Sequence, residues 1–211
     1  SSLPTAPWLE VGEESHFLVC PGYGSSGLEI IDQIVELGKQ TKSLGTQEVI
    51  KRIDQLLRVT GGFMIAAHPC NVSYPFNYNF DGCHSAVGVE FFNGSRAEHW
   101  RNFEKMIDLQ KCSARPLIAV GGVDMHFPGD GATELVGVAN EVWAKSFIPS
   151  IQDVDHYAPT KRYTYVWEGA KDAASLAFAI RDANCYTAYG DTVIVHSSAR
   201  GGDTYTGQDV F

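Results

Sequence analysis

Gly62-Phe63-Met64-Ile65-Ala66-Ala67-His68-Pro69 reads as a buried strand that ends in a histidine, with a proline stopping the ladder immediately behind it. Leu117-Ile118-Ala119-Val120-Gly121-Gly122-Val123-Asp124-Met125-His126 repeats the arrangement, with an aspartate and a histidine just past a second apolar strand. Working outward from these two stretches, apolar or β-branched runs at 16–20, 86–92, 163–167, 185–189 and 192–195 complete a set of short strands. Between them lie stretches of helical periodicity at 28–37, 46–59, 96–109 and 171–182. In the second of these, Val49, Ile50, Ile53, Leu56 and Leu57 form one apolar stripe with charge on the other side, as expected of a helix packed on a sheet. The alternation of strand and helix is the signature of an α/β fold. In parallel α/β architectures the C-terminal strand ends share one edge, where sites are built, so His68, Asp124 and His126 are expected at one mouth.

The whole chain supports one compact α/β domain over residues 1–211. Its 211 residues are long enough to bury a sizeable core, and no repeat, low-complexity run or Pro/Ser-rich linker divides them. Sixteen basic and 25 acidic side chains leave a formal charge of −9, the wrong sign for holding nucleic acid through phosphate contacts. The longest apolar runs are strand-sized, far short of the roughly 20 residues that span a bilayer. No basic region followed by an apolar one opens the chain, so no signal peptide is expected and a cytoplasmic location is favoured.

Cys20, Cys70, Cys83, Cys112 and Cys185 are odd in number and irregularly spaced, which argues against a disulfide framework and against a thiolate zinc knot. They read as reduced, mostly buried thiols, although Cys70 and Cys83 flank one loop and are placed to bridge it in an exported protein. Asn71-Val72-Ser73 and Asn93-Gly94-Ser95 match the glycosylation pattern by a motif too short to carry weight. Imidazole and carboxylate together suit zinc, manganese or iron. Taken singly, His68 reads more readily as a capping or hydrogen-bonded residue at a strand end than as a ligand, and Asp124 with His126 is a similarly weak signal.

Four ordered segments resemble the polymerase and histidinol phosphatase (PHP) superfamily of metal-dependent phosphoesterases. Ala67-His68-Pro69 is similar to that family's AHP motif and Gly88-Val89-Glu90-Phe91-Phe92-Asn93-Gly94 to its G-[IV]-E-x-x-N-G strand. Gly121-Gly122-Val123-Asp124-Met125-His126 is similar to its G-G-S-D-x-H motif, with valine in place of serine. Ala179-Ile180-Arg181-Asp182-Ala183-Asn184-Cys185-Tyr186-Thr187-Ala188-Tyr189-Gly190 is similar to its closing A-[LI]-R-x-G-R-x-Y-x-T-x-G segment. The resemblance covers about residues 60 to 195. It implies a distorted (β/α)7-type barrel with one to three divalent ions at its C-terminal mouth. It also implies hydrolysis of a small phosphomonoester or nucleotide phosphate by metal-activated water. Carried over residue by residue, it makes His68, Asp124 and His126 metal ligands, with Asp124 and His126 central to catalysis. The segment Trp8 to Val19 resembles the family's strand ending in a metal-bridging glutamate followed by a ligating histidine, which makes Glu10 and His16 candidates, with Glu13 or Glu14 as alternatives to Glu10.

The family opens with an H-x-H motif, and this chain contains none, its first histidine being His16. The expectation is therefore a chain that holds about the last three quarters of the family domain, or a member that has lost those ligands. Substrate phosphate needs donors, for which Arg181 is the candidate, with Arg96 and Lys145 also available. The loop 70–85 follows His68 directly and carries Tyr74, Phe76, Tyr78 and Phe80, either to stack on a substrate or to pin its own hydrophobic cluster. His84, His99, His156 and His196 have no motif around them and read as structural or surface residues. Two rivals to the phosphoesterase remain: a PHP-like structural or interaction domain without catalysis, and an amidohydrolase-like metal-dependent hydrolase.

Overall fold

Alternate side chains of Phe63-Met64-Ile65-Ala66 enter two different cores, Phe63 and Ile65 one, Met64 and Ala66 the other. This period-two division makes the segment a strand with no solvent face, β3 (Phe63–Ala66), all four residues of which are buried. A computed structural model of the chain describes residues 9–11, 15–22, 24–71, 75–93, 96–121, 162–166, 172–189 and 192–195. In it β3 is the centre of a five-stranded sheet with β1 (Leu9–Val11), β2 (Phe17–Cys20), β4 (Ala86–Phe92) and β5 (Ile118–Gly121), in sequence order across the sheet. Strands β6 (Arg162–Val166), β7 (Cys185–Tyr189) and β8 (Thr192–Val195) form a second sheet.

The protein is thus mixed α/β, and among the described residues the parallel pairing expected of a (β/α) barrel links only β3, β4 and β5. Elsewhere the pairing is antiparallel. The connections explain part of this. Residues 190–191 between β7 and β8 and residues 12–16 between β1 and β2 are too few for the crossover of a dozen or more residues that a parallel pair requires. Among the described residues the strands form these two open sheets and no closed barrel. The sheets meet at β5, where the Gly121 amide donates to Thr164 Oγ1 at 2.9 Å.

One face of the large sheet packs on helices α2 (Ile31–Lys39), α4 (Thr46–Thr60) and α5 (Arg96–Cys112), through Phe17, Val19, Met64, Ala66, Val89, Ile34, Ile53, Leu57 and Leu109. The other face carries Cys20, Phe63, Ile65, Val87, Ile118 and Val120 against β7 and helix α6 (Ala173–Arg181). The stretch expected as one helix at 28–37 is two, α1 (Gly24–Glu29) and α2, and a further turn, α3 (Thr41–Leu44), precedes α4. Helix α4 follows the expected stripe, with Val49, Ile50, Ile53 and Leu57 buried, and ends at Gly61 in the left-handed region (φ 70°). Gly62 then turns the chain into β3 so closely under β2 that a Cβ there would stand 2.5 Å from the Cys20 carbonyl oxygen.

The aromatic loop after His68 is drawn inward. Phe76 and Phe80 are fully buried in the helix-side core, with rings 5.3 Å apart, so they hold the loop down and present no face for stacking a substrate. Gln47 on α4 clasps Asn79, donating to its carbonyl at 3.0 Å and accepting from its amide at 3.2 Å. Cys70 and Cys83 at the loop's ends are free thiols, as are Cys20, Cys112 and Cys185, so the bridge considered for the first two is not formed.

Candidate metal centre

Strands β3 and β4 are parallel, so their C-terminal ends lie at one edge. Strand β2 runs the other way, with Phe17 opposite Ala66, which brings its first residues to that same edge. The topology alone therefore puts His16, just before β2, beside His68, just after β3. The Ala67 amide donates to the His16 carbonyl at 3.1 Å, extending the ladder to this point. The two imidazoles stand edge to face, with Nδ1 of His16 3.0 Å from Nε2 of His68. His68 is buried and His16 half-buried.

The third member of this corner is Glu90, the only charged residue in the otherwise apolar β4. It is buried, and one of its oxygens, Oε2, accepts two hydrogen bonds: from the His68 amide at 2.7 Å and from the Asn93 side chain at 2.9 Å. Asn102, on the first turns of α5, is buried behind them. Its amide nitrogen donates to the carbonyls of Phe91 (2.9 Å) and Asn93 (3.3 Å), while its Oδ1 accepts from the Cys70 amide at 3.2 Å. The sheet-facing stripe of α5 thus carries polar His99 and Asn102 at the end near this corner and apolar Met106 and Leu109 further along. The His99 and Phe92 rings pack edge to face, 5.1 Å apart, and His84 is exposed; His156 and His196 lie outside the described residues.

The backbone of His68 is left-handed, φ 26°, a region that costs an L-residue about 1–3 kcal/mol unless its surroundings hold it there. Pro69 behind it removes the right-handed helical alternative. Each neighbouring backbone group has a partner: the Asn71 amide donates to the His68 carbonyl and the Phe76 amide to that of Pro69, both at 2.9 Å. Ser15 Oγ, next to His16, ties down the same loop through the Pro75 carbonyl at 2.8 Å.

The other candidates fall in different places. Strand β1 sets Glu10 opposite Leu18, two residues in from His16; its side chain is outside the described residues. Asp124 and His126 lie wholly outside them, as does Lys145, while β5 ends at this edge at Gly121. Among the described residues no group of three His, Cys, Asp or Glu side chains stands within reach of one ion.

Arg181 is not brought to the histidines. It ends α6 beside Gly61, at the entry to β3, and six residues running through β3 separate Gly61 from His68, roughly 20 Å. There it pairs with Asp182 through Nε (2.9 Å) and Nη2 (3.1 Å) and lies over the Phe178 ring. The guanidinium holds the Asp182 carboxyl below its ordinary range. Arg96 is the first residue of α5, which starts at the histidine edge.

Glu90 and Asn102 are site residues to which sequence reasoning gave no role, although Glu90 stands in the segment Gly88 to Gly94 singled out there. A signal for Glu90 was present: a lone carboxylate in the apolar run Val87-Gly88-Val89-Glu90-Phe91-Phe92 is too costly to bury without partners. Asn102 had none, because one amide among the polar residues of a helix is indistinguishable from a solvated one.

What the corner can do follows from its donor set. Two ring nitrogens, each about 2.1 Å from one ion, stand roughly 3.0 Å apart at a right angle and roughly 3.4 Å apart at the tetrahedral angle. The observed 3.0 Å suits two neighbouring positions on one divalent ion, and equally one imidazole donating to the other. No family model, curated protein or solved structure matches the chain.

Proposed function

We propose that the protein is a metal-dependent hydrolase of small phosphate esters, with His16 and His68 as ligands to a divalent zinc, manganese or iron ion. The observation that supports this reading best is the approach of His16 Nδ1 to His68 Nε2 at the C-terminal edge of the sheet. These histidines come from segments 52 residues apart and belong to two separate motifs. Glu10, Asp124 and His126 complete the proposed ligand set. The barrel implied by the PHP resemblance is part of the same proposal, and the packing of β5 against β6 and β7 supports continuity between the sheets.

When bound, such an ion lowers the pKa of a coordinated water and polarises a phosphoryl oxygen. The chain's own residues supply the setting. His68 and His16 present neutral ring nitrogens, which requires that they stay unprotonated, so binding weakens in acid. Phe91, Phe92 and Ala119 form an apolar cluster beside this edge and keep the buried side of the corner dry. Arg181, paired at the far end of β3, is assigned no role with the phosphate.

The test is metal content and affinity. Protein purified without chelator should carry zinc, manganese or iron, and both His68→Ala and Asp124→Asn should reduce it. Release of phosphate from a panel of phosphomonoesters should follow the metal content. Less than about half an equivalent of metal, unchanged in both variants, would leave the domain as a structural or interaction module. Hydrolysis of amides in place of phosphate esters would move it to the amidohydrolase-like class.

A further inference from the structure

We infer that Glu90 is a positioning residue: through its hydrogen bond to the His68 backbone it fixes the direction in which the His68 imidazole points, and so sets its approach to His16. The inference deepens the metal-binding reading and rests on it for its functional meaning, although its structural content stands on the metal-free geometry alone.

The argument starts from the left-handed backbone of His68. A histidine next to a proline, at φ 26°, keeps that conformation only where its neighbours over-determine it. Among the bonds that hold it, the His68 amide donates to Glu90 Oε2 at 2.7 Å. A carboxylate buried in an apolar strand is expensive, and every other residue of β4 is apolar or glycine. Its place is explained by what it grips. The Asn93 side chain donates to the same oxygen, and Asn102 holds the Asn93 carbonyl and the Cys70 amide, so β4, α5 and the loop behind His68 close around one residue. Both bonds reach Oε2, the oxygen turned to His68 and Asn93.

Both bonds use an oxygen as acceptor, and an amide oxygen accepts two bonds as a carboxylate oxygen does. Glutamine should therefore replace Glu90 with the imidazole geometry intact, whereas alanine should release it. Asn93→Ala, which removes one of the two donors, should act in the same direction but more weakly, and guards against Glu90→Ala failing to fold.

The experiment has two arms on the full chain. In the first, without metal, the ring resonances of His16 and His68 are followed by long-range proton–nitrogen correlation. Glu90→Gln should keep the wild-type shifts, and Glu90→Ala and Asn93→Ala should move both rings towards the values of solvated imidazole. In the second, Zn2+ is titrated in. Glu90→Ala should weaken its binding about 10- to 100-fold, the range typical when a group orienting a ligand is removed, with Glu90→Gln close to wild type. Wild-type ring shifts in folded Glu90→Ala or Asn93→Ala, or Glu90→Gln as impaired as Glu90→Ala, would overturn the positioning role. Zinc binding indifferent to His68→Ala would instead overturn the metal reading, and the first arm would still decide what Glu90 does.

Discussion

The two ends of β3 solve one geometric problem with different residues. At its entry the chain turns through the left-handed region at Gly61 (φ 70°), and at its exit it does so again at His68 (φ 26°). Glycine makes the first turn at no steric cost. Histidine makes the second against its own Cβ, held by Glu90, Asn71 and the loop that Asn102 anchors. The surroundings differ in the same sense. The entry is closed by tight backbone packing under Gly62 and by the Arg181–Asp182 pair, whereas the exit buries a carboxylate, two asparagines and an imidazole. Strain and buried polarity are tolerated where a particular side chain is wanted, and a glycine is used where only the turn is.

The largest effect that would test this contrast is steric. Gly62→Ala should destabilise the protein by about 3 kcal/mol in urea unfolding, because its Cβ would meet the Cys20 carbonyl at 2.5 Å and a Leu57 methyl at 2.7 Å. A cost below about 1 kcal/mol would show that the entry is looser than it looks.

Next comes alkaline pH, which acts on the entry to β4. Cys83 is fully buried there and its thiol is pushed up to about 12, first by burial and then by the Asp54 carboxylate. A thiol whose folded pKa lies above its unfolded value of 9.0 stabilises fully below pH 9 and loses that contribution as pH rises towards 12. Stability should therefore fall by up to about 1.4 kcal/mol per pH unit in that window from Cys83 alone. Cys185, raised to about 11 by burial, adds to the loss over a narrower range. Unfolding of wild type and Cys83→Ala at pH 8 and pH 10 should show a smaller loss in the variant, and equal losses would refute the assignment.

Backbone strain is the subtler comparison. Gly61→Ala should cost about 1 kcal/mol, and at the other end His68→Gly should be more stable than His68→Ala by a similar amount, since both lose the ring and only one relieves the turn. If the two His68 variants unfold together, the exit carries no strain. The smallest effect is expected after α6, where Ala183 takes φ 59°, a left-handed conformation that glycine adopts without strain. Ala183→Gly should raise stability by somewhat less than about 1 kcal/mol, read as a small rise in melting temperature.

Much of the scaffold was legible because it rests on periodicity. The stripe Val49, Ile50, Ile53 and Leu57 is buried as its spacing required, and the apolar runs at 86–92 and 185–189 became β4 and β7 with the expected ends. The pairing directions were not legible, since an apolar run carries no mark of which way its neighbour runs. Nor was the fate of Phe76 and Phe80, because an aromatic loop serves a substrate or a core with the same residues. At the candidate site, His16 and His68 could be named individually, but their 3.0 Å approach depended on β2 lying antiparallel beside β3. Arg181 shows the converse. It was available by type, and the chain path carried it to the far end of the sheet.

Sequence alone carried most of the strands and helices, the α/β class and the histidines at strand ends, because hydrophobic periodicity, glycine and proline act within a few residues of themselves. The tertiary structure alone decided which strands pair in which direction, that Glu90 grips the His68 amide across 22 residues, and that Arg181 stands apart from them. Those outcomes depend on hydrogen bonds and burial between distant segments, whose free energy exists only once the chain has brought them together.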